Sequence, residues 1–138
     1  MQLFFPAFEQ LPVEGELDST YYTDPYTSGV LTFKIHFCFL CEIVADVSLV
    51  RPTFRVKDRD GKAALVALYL DDVKLYDPKN YKVGNTICIM YALRKTFMDL
   101  QEGIRVEDGH SIVGNAFDVS ICLMGTLLQA GRRGYSDD

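Results

Sequence analysis

Leu31–Leu49 reads LTFKIHFCFLCEIVADVSL, and every odd-numbered residue in it is apolar: Leu31, Phe33, Ile35, Phe37, Phe39, Cys41, Ile43, Ala45, Val47 and Leu49. Strict alternation is the signature of a β-strand that turns one face to the core, because successive side chains point to opposite sides. At about 3.3 Å per residue a strand of this length runs to roughly 60 Å, far beyond a usual strand of ~20 Å. It therefore has to bend or bulge and serve two parts of one closed sheet. The stretch predicts the opening strand of a small barrel.

Downstream the pattern continues in shorter units. Thr53–Asp58 (TFRVKD) alternates again, with Phe54 and Val56 on the apolar side. Asp60-Gly61 then predicts a two-residue hairpin turn, since both positions of such a turn need residues that tolerate positive φ. The return strand, Lys62–Leu70 (KAALVALYL), is apolar on both faces, as where a second layer covers it. Asp71–Gly84, with Asp77-Pro78 and Asn80, reads as a loop holding at most one helical turn. Asn85–Leu93 (NTICIMYAL) predicts a fourth strand, Phe97–Gly103 a connection, and Ile104–Val113 a fifth strand or irregular hairpin broken at Asp108-Gly109.

The two ends differ from this body. Residues 1–29 mix Pro6, Pro12, Pro25, Gly15 and Gly29 with scattered aromatic rings and acids, which suits an irregular arm laying a few rings on the body. From Ala116 the period changes: Phe117, Ile121, Met124 and Leu128 form a helical stripe, Asn115 suits the N-cap, and Gly131 followed by Arg132 and Arg133 suits the C-terminus. The opposite side of that helix carries Leu123 and Leu127, so it needs a second partner surface. The organisation expected is an acidic, aromatic arm at 1–29, a barrel at 30–114, a helix at 115–131 and a tail at 132–138. At 138 residues and 49% hydrophobic composition this makes one domain with one core.

The fold class this implies is mainly β. Five strands opened by a long bent one, with a D-x-D-G hairpin between the second and third, resemble an OB-like five-stranded Greek-key barrel, here with a C-terminal α-helix. FRVKDRDGKAALVALYLDD followed by YKVGNTICIMYA, spanning Phe54–Ala92, is similar to OB phrasing. More narrowly, HFCFLCEIVADVSLVRPTFRVKDRDGK and KVGNTICIMYALRKTFMDLQEGIRVEDGHSIV resemble the N-terminal region of fungal proteins that elsewhere carry a MYND-type zinc finger. That resemblance implies an intracellular protein working through protein–protein contact, and it implies no catalytic residues. The finger itself has no counterpart, because only Cys122 follows Val113.

Charge sets the function classes. The net charge of −5 sits in residues 1–33, which hold Glu9, Glu14, Glu16, Asp18 and Asp24 and no Lys or Arg; the remainder balances at 14 against 14. Nucleic-acid binders normally carry a positive excess, so the overall balance disfavours nucleic acid. No stretch reaches the ~20 uninterrupted apolar residues of a membrane span, and the N-terminus lacks the basic and apolar regions of a secretory signal. An intracellular location, cytoplasmic or nuclear, is the expectation.

Cys38 and Cys41 form a C-x-x-C, but three residues apart on a strand they point to opposite faces, Cys38 outward, and no second pair completes a zinc site. No metal and no cofactor is expected. No Gly-rich phosphate loop occurs. Histidine is a residue type suited to general-base work, but His36 has no local partner for it, so catalysis is not expected.

The candidate binding set is Arg55 and Lys57 on the outer face of the second strand, Tyr69 on the third, and Tyr91, Arg94, Lys95 and Phe97 around the end of the fourth. Aromatic rings interleaved with Arg and Lys are the ingredients of single-strand recognition. Leu123 and Leu127 are the candidate interface. The sequence thus predicts a non-enzymatic binding module that engages a protein partner or self-associates as a homodimer. Single-stranded nucleic-acid binding is the alternative, and a small enzyme or carrier using the barrel mouth comes third.

Overall fold

The computed structural model describes residues 3–16, 18, 20–22 and 35–114. The predicted helix at 115–131, with Leu123 and Leu127, lies outside the described residues, as do Leu31–Lys34. Among the described residues there are eight strands: β1 (Leu3–Phe4), β2 (His36–Asp46), β3 (Thr53–Lys57), β4 (Ala63–Leu68), β5 (Thr86–Met90), β6 (Arg94–Thr96), β7 (Glu102–Val106) and β8 (Ile112–Val113). Single 3₁₀ turns sit at Phe8–Gln10, Val73–Leu75, Pro78–Asn80 and Gly109–Ser111.

β2 is the bent strand that the alternation requires. It pairs antiparallel with β5 from Cys38 to Glu42 and with β3 from Glu42 to Asp46, and its register shifts between Ile43 and Ala45. Phe37, Phe39, Cys41 and Ile43 are buried, as the odd-numbered pattern demands. Beyond the bulge the pattern fails: Val47 and Leu49 are exposed loop residues, because an irregular register breaks the side-to-side alternation.

The strands run in the order β6-β7-β4-β3-β2-β5-β8, with β1 added in parallel beside β2. β2, β3 and β4 form an antiparallel meander, and β4 pairs in parallel with β7. β5, on the far side of β2, runs into β6, the first strand of the path, across Tyr91–Leu93, so the sheet closes. Taking β5 and β6 together gives five barrel strands in OB order. The fold is a mainly β, OB-like Greek-key barrel.

Several boundaries differ from the sequence expectation. The β3–β4 hairpin turns through residues 58–62, not through two residues; Gly61 has φ +82°, whereas Asp60 does not adopt positive φ. Asp58 takes over the work, accepting hydrogen bonds from the backbone N–H of Asp60 and Lys62 at 2.9 and 2.8 Å. Arg94–Thr96, assigned to no element from the sequence, form β6, which makes a hairpin with β7, and β7 begins at Glu102 inside the segment read as a connection. The strand or irregular hairpin expected at 104–113 is β7 and β8, separated near the expected break by a 3₁₀ turn at Gly109–Ser111.

The core joins Phe37, Phe39, Ile43, Phe54, Val56, Val66, Ile87, Ile89 and Ile104 with Phe8, Leu11 and Tyr21 of the arm. The arm is thus part of the core through its rings. Fully burying a side chain such as Phe or Ile contributes about 1.5–3 kcal/mol, which explains why a chain of this size recruits its N-terminal rings. Cys38, expected to face outward, does leave the barrel interior. It is nevertheless fully buried in a second cluster with Cys88 and Met90, packed by Phe5, Leu40 and Val113. A hydrogen bond with Cys88 and burial both push its thiol pKa upward.

Candidate functional site

The site follows from strand alternation and register. Phe54 and Val56 of β3, Ala64, Val66 and Leu68 of β4, and Ile104 and Val106 of β7 face the core. The residues between them face out. Register aligns Ala45, Arg55, Leu65, Gly103 and Lys95 in one row across five strands, and Thr53, Ala67 and Arg105 in the next. The outward positions of β3, β4, β7 and β6 are therefore Thr53, Arg55, Lys57, Ala63, Leu65, Ala67, Gly103, Arg105 and Lys95. Four are cations and none is an acid. Arg55 and Lys95 stand three strand spacings apart, roughly 14 Å.

One end of this face is built around Tyr69, which continues the outward parity of β4. Its backbone N–H donates to the Val106 carbonyl at 2.7 Å, tying the residue to β7. The Arg51 guanidinium carbon lies 3.7 Å from the ring centroid and that of Arg105 lies 4.1 Å away. Two like charges at such distances occupy opposite faces of one ring, so Tyr69 is the centre of a cation–ring–cation stack. Arg51 comes from the β2–β3 loop. That loop is fastened by Asp46, whose Oδ1 accepts from the Ser48 N–H at 2.9 Å, and by the Thr53 N–H donating to Ser48 Oγ at 2.9 Å. The Ser48 hydrogen bonds hold the Asp46 carboxyl below its ordinary pKa.

At the other end Phe97 lies over Gly103. A Cβ at residue 103 would sit 2.7 Å from Phe97 Cε2 and 2.2 Å from the Leu65 carbonyl oxygen, so the glycine makes room for both the ring and the neighbouring strand. Lys95 Nζ lies 5.5 Å from the Phe97 centroid. The loop beyond, closed by the Phe97 N–H donating to the Gln101 carbonyl at 2.8 Å, exposes Met98 and Leu100. Across the face, the β2–β3 loop exposes Leu49 and Val50 in the same way. Apolar loop tips thus flank a cationic sheet face on two sides.

The candidate residues divide. Arg55, Lys57, Tyr69, Lys95 and Phe97 share this face. Tyr91 does not: it sits in the β5–β6 joint with φ 55°, its hydroxyl hydrogen-bonded to His36 Nδ1 and its ring edge-on to Phe37. Arg94 is opposite Ile104, on the core-facing parity, and its Nε is buried. Tyr69, expected as a stacking platform, has both ring faces taken by guanidinium groups. Arg51 and Arg105 were not singled out in the sequence, because their contact with one ring joins positions far apart in the chain.

A groove of about 460 Å³ opens beside the Tyr69 stack, lined by Val50, Arg51, Pro52, Leu68, Tyr69, Leu70, Asp71, Val73, Tyr76, Arg105 and Glu107. Arg105 Nε donates to Glu107 at 2.9 Å. Among the described residues no group of three or more His, Cys, Asp or Glu side chains is placed to hold a metal ion. Nor is any described helix long and apolar enough to cross a membrane.

Fold and face together define an OB-like barrel domain with a cationic, loop-flanked outer surface. No family model matches the chain, and no curated protein matches it. Among solved structures, it is similar to a chain of a replication protein A heterotrimer bound to ssDNA, with TM-score 0.44 and 10% identity over 81% of this chain and 87% of that one. It is also similar to a chain of the S. pombe Stn1–Ten1 complex, with TM-score 0.47 and 13% identity over 88% and 85%. Likenesses this distant add nothing to the site; strand order, register and the bent β2 define the fold.

Proposed function

We propose that this domain is a non-enzymatic module that binds single-stranded nucleic acid along the outer face of β3, β4, β7 and β6. The observation that carries the reading is the acid-free outward surface of those four strands, bearing Arg55, Lys57, Lys95 and Arg105. Arg51 adds a fifth cation through the Tyr69 stack. The same face of an OB barrel, between the loops joining its first two and last two strands, is the one suited to oligonucleotides. The net charge of −5 counts less than its distribution. Exposed charges act over about 8 Å at physiological salt; of the arm's acids Glu14 reaches this face, its Oε1 4.0 Å from Lys95 Nζ, so Arg55 and Lys57 carry more of the phosphate attraction than Lys95.

The stacking element is Phe97 with the apolar tips Met98 and Leu100, on which bases can lie while Lys95 and Arg55 meet phosphates. Exposure of Leu49, Val50, Met98 and Leu100 also favours a second reading, docking of a protein partner. The cations between these tips favour the nucleic acid.

The test is fluorescence anisotropy with labelled single strands of about 12 nucleotides, inside the ~4–16 nucleotides occupied per OB fold. Micromolar binding is expected at low salt, with log K falling as log salt rises by about 0.7 for each phosphate neutralised. Arg55→Ala with Lys57→Ala should lower that slope by about 1–1.5, whereas Lys79→Ala with Lys82→Ala, off the face, should leave it unchanged. Absence of binding at about 50 mM salt, where electrostatic affinity is greatest, overturns the reading in favour of a protein partner.

A further inference from the structure

The groove beside the Tyr69 stack combines groups that a sheet surface alone does not need. Its volume of about 460 Å³ is in the range of small-ligand sites, typically ~300–1,000 Å³. Two guanidinium groups, Arg51 and Arg105, line it, each stacked on the Tyr69 ring. Val50 and Val73 supply apolar walls although they are 91% and 76% exposed. Two carboxylates also line it. Glu107 is engaged by Arg105 at 2.9 Å, whereas Asp71 has no hydrogen-bond or ion-pair partner among the described residues.

We infer that this groove holds one nucleotide of the bound strand and selects bases that carry an exocyclic amino group, with Asp71 making the selection. The inference rests on the proposed nucleic-acid reading. The phosphate meets Arg51 and Arg105, whose planar forks suit its oxygens. The base lies against Val50 and Val73, where its edge reaches the Asp71 carboxylate. An ionised carboxylate only accepts hydrogen bonds. Cytosine N4, adenine N6 and guanine N2 each offer N–H donors, and acceptance from cytosine N4 by Asp is an established pairing. Thymine and uracil present an N3–H flanked by two carbonyl oxygens, whose lone pairs repel the carboxylate. The groove therefore disfavours thymine and uracil.

Oligo-dC and oligo-dT of equal length separate this idea from stacking strength, because both bases are single-ring pyrimidines. Anisotropy titrations of the full chain at one fixed salt are expected to give oligo-dC about tenfold tighter binding than oligo-dT, within the discrimination one such contact supplies. Asp71→Asn, whose amide both donates and accepts, should shrink the gap to about twofold or less. Asp99→Asn, which removes an equal charge from the Phe97–Gln101 loop, should preserve it; the ratio is read because loss of a negative charge strengthens binding to every oligonucleotide. Equal affinity of the parent for both oligonucleotides, or a gap unchanged in Asp71→Asn, overturns the inference while leaving single-strand binding intact. Binding to neither overturns both.

Discussion

Asp58 is the one charged residue buried among the described residues, and each of its oxygens has a task. Oδ2 accepts from the Phe8 backbone N–H at 2.8 Å, and Oδ1 accepts from Asp60 and Lys62. One carboxylate thus shapes the β3–β4 turn and pins the arm at the point where Phe8 enters the core. Asp58→Ala leaves these N–H groups without their acceptor and should cost about 2–4 kcal/mol, read from urea unfolding midpoints. Asp58→Asn, which keeps one acceptor oxygen, should fall between. A loss below about 0.5 kcal/mol for the alanine variant means that the turn and arm hold without this side chain. The sequence displayed Asp58 beside an Asp-Gly pair, and a hairpin was legible there. Its bond to Phe8 was not, because it joins positions 50 residues apart. Tyr69 was misread for the same reason: an aromatic among basic residues looks like a platform until two distant arginines are found on its faces.

At the level of elements, β2 was the most legible feature and β6 the least. Ten apolar alternations left little freedom for β2, and only the bulge near Ile43–Ala45, which no residue type announces, ended the pattern early. β6 is three residues of mixed polarity, Arg94–Thr96, and carries no period at all; it exists because β7 and the arm pair with it. The face depends on that weakly signalled β6–β7 hairpin, which seats Phe97 over Gly103. Gly103→Ala places a Cβ 2.2 Å from the Leu65 carbonyl oxygen and 2.7 Å from Phe97 Cε2, so β4 and β7 must separate and Phe97 must shift. A destabilisation of about 1–3 kcal/mol and weaker oligonucleotide binding are expected together. If the variant unfolds and binds like the parent, the Leu65–Gly103–Phe97 packing is looser than described. Phe37→Asp puts a charge into the centre of β2's core face and should abolish the cooperative unfolding transition. A parent-like melting curve contradicts that register.

For the whole molecule, the arm and the barrel share a ring-rich interior whose polar ends are phenols. Tyr21 packs 4.6 Å from Phe37, Tyr81 stacks on Phe54 at 5.6 Å, and Tyr76 lies 5.1 Å from Tyr81. Burial raises the pKa of Tyr21, Tyr22, Tyr76 and Tyr91, with nearby acids adding to the first three. It pushes Tyr81 up to about 12 from the ordinary 10.0. A folded-state pKa above the unfolded one means that the neutral phenol is favoured by folding. That contribution is complete below about pH 10 and is lost as pH rises through about 12, because the unfolded chain ionises first. Stability should therefore stay level with respect to these groups through neutral pH and fall steeply between about pH 10 and 12. Tyr81→Phe keeps the ring on Phe54 while removing the phenol with the largest shift, so its alkaline decline should be shallower than the parent's. Urea midpoints across that range, with near-ultraviolet absorbance following tyrosinate, measure both effects. Titration of every tyrosine at its ordinary pKa while the chain remains folded means that the phenols reach water, and that the barrel end around Tyr76 and Tyr81 is open.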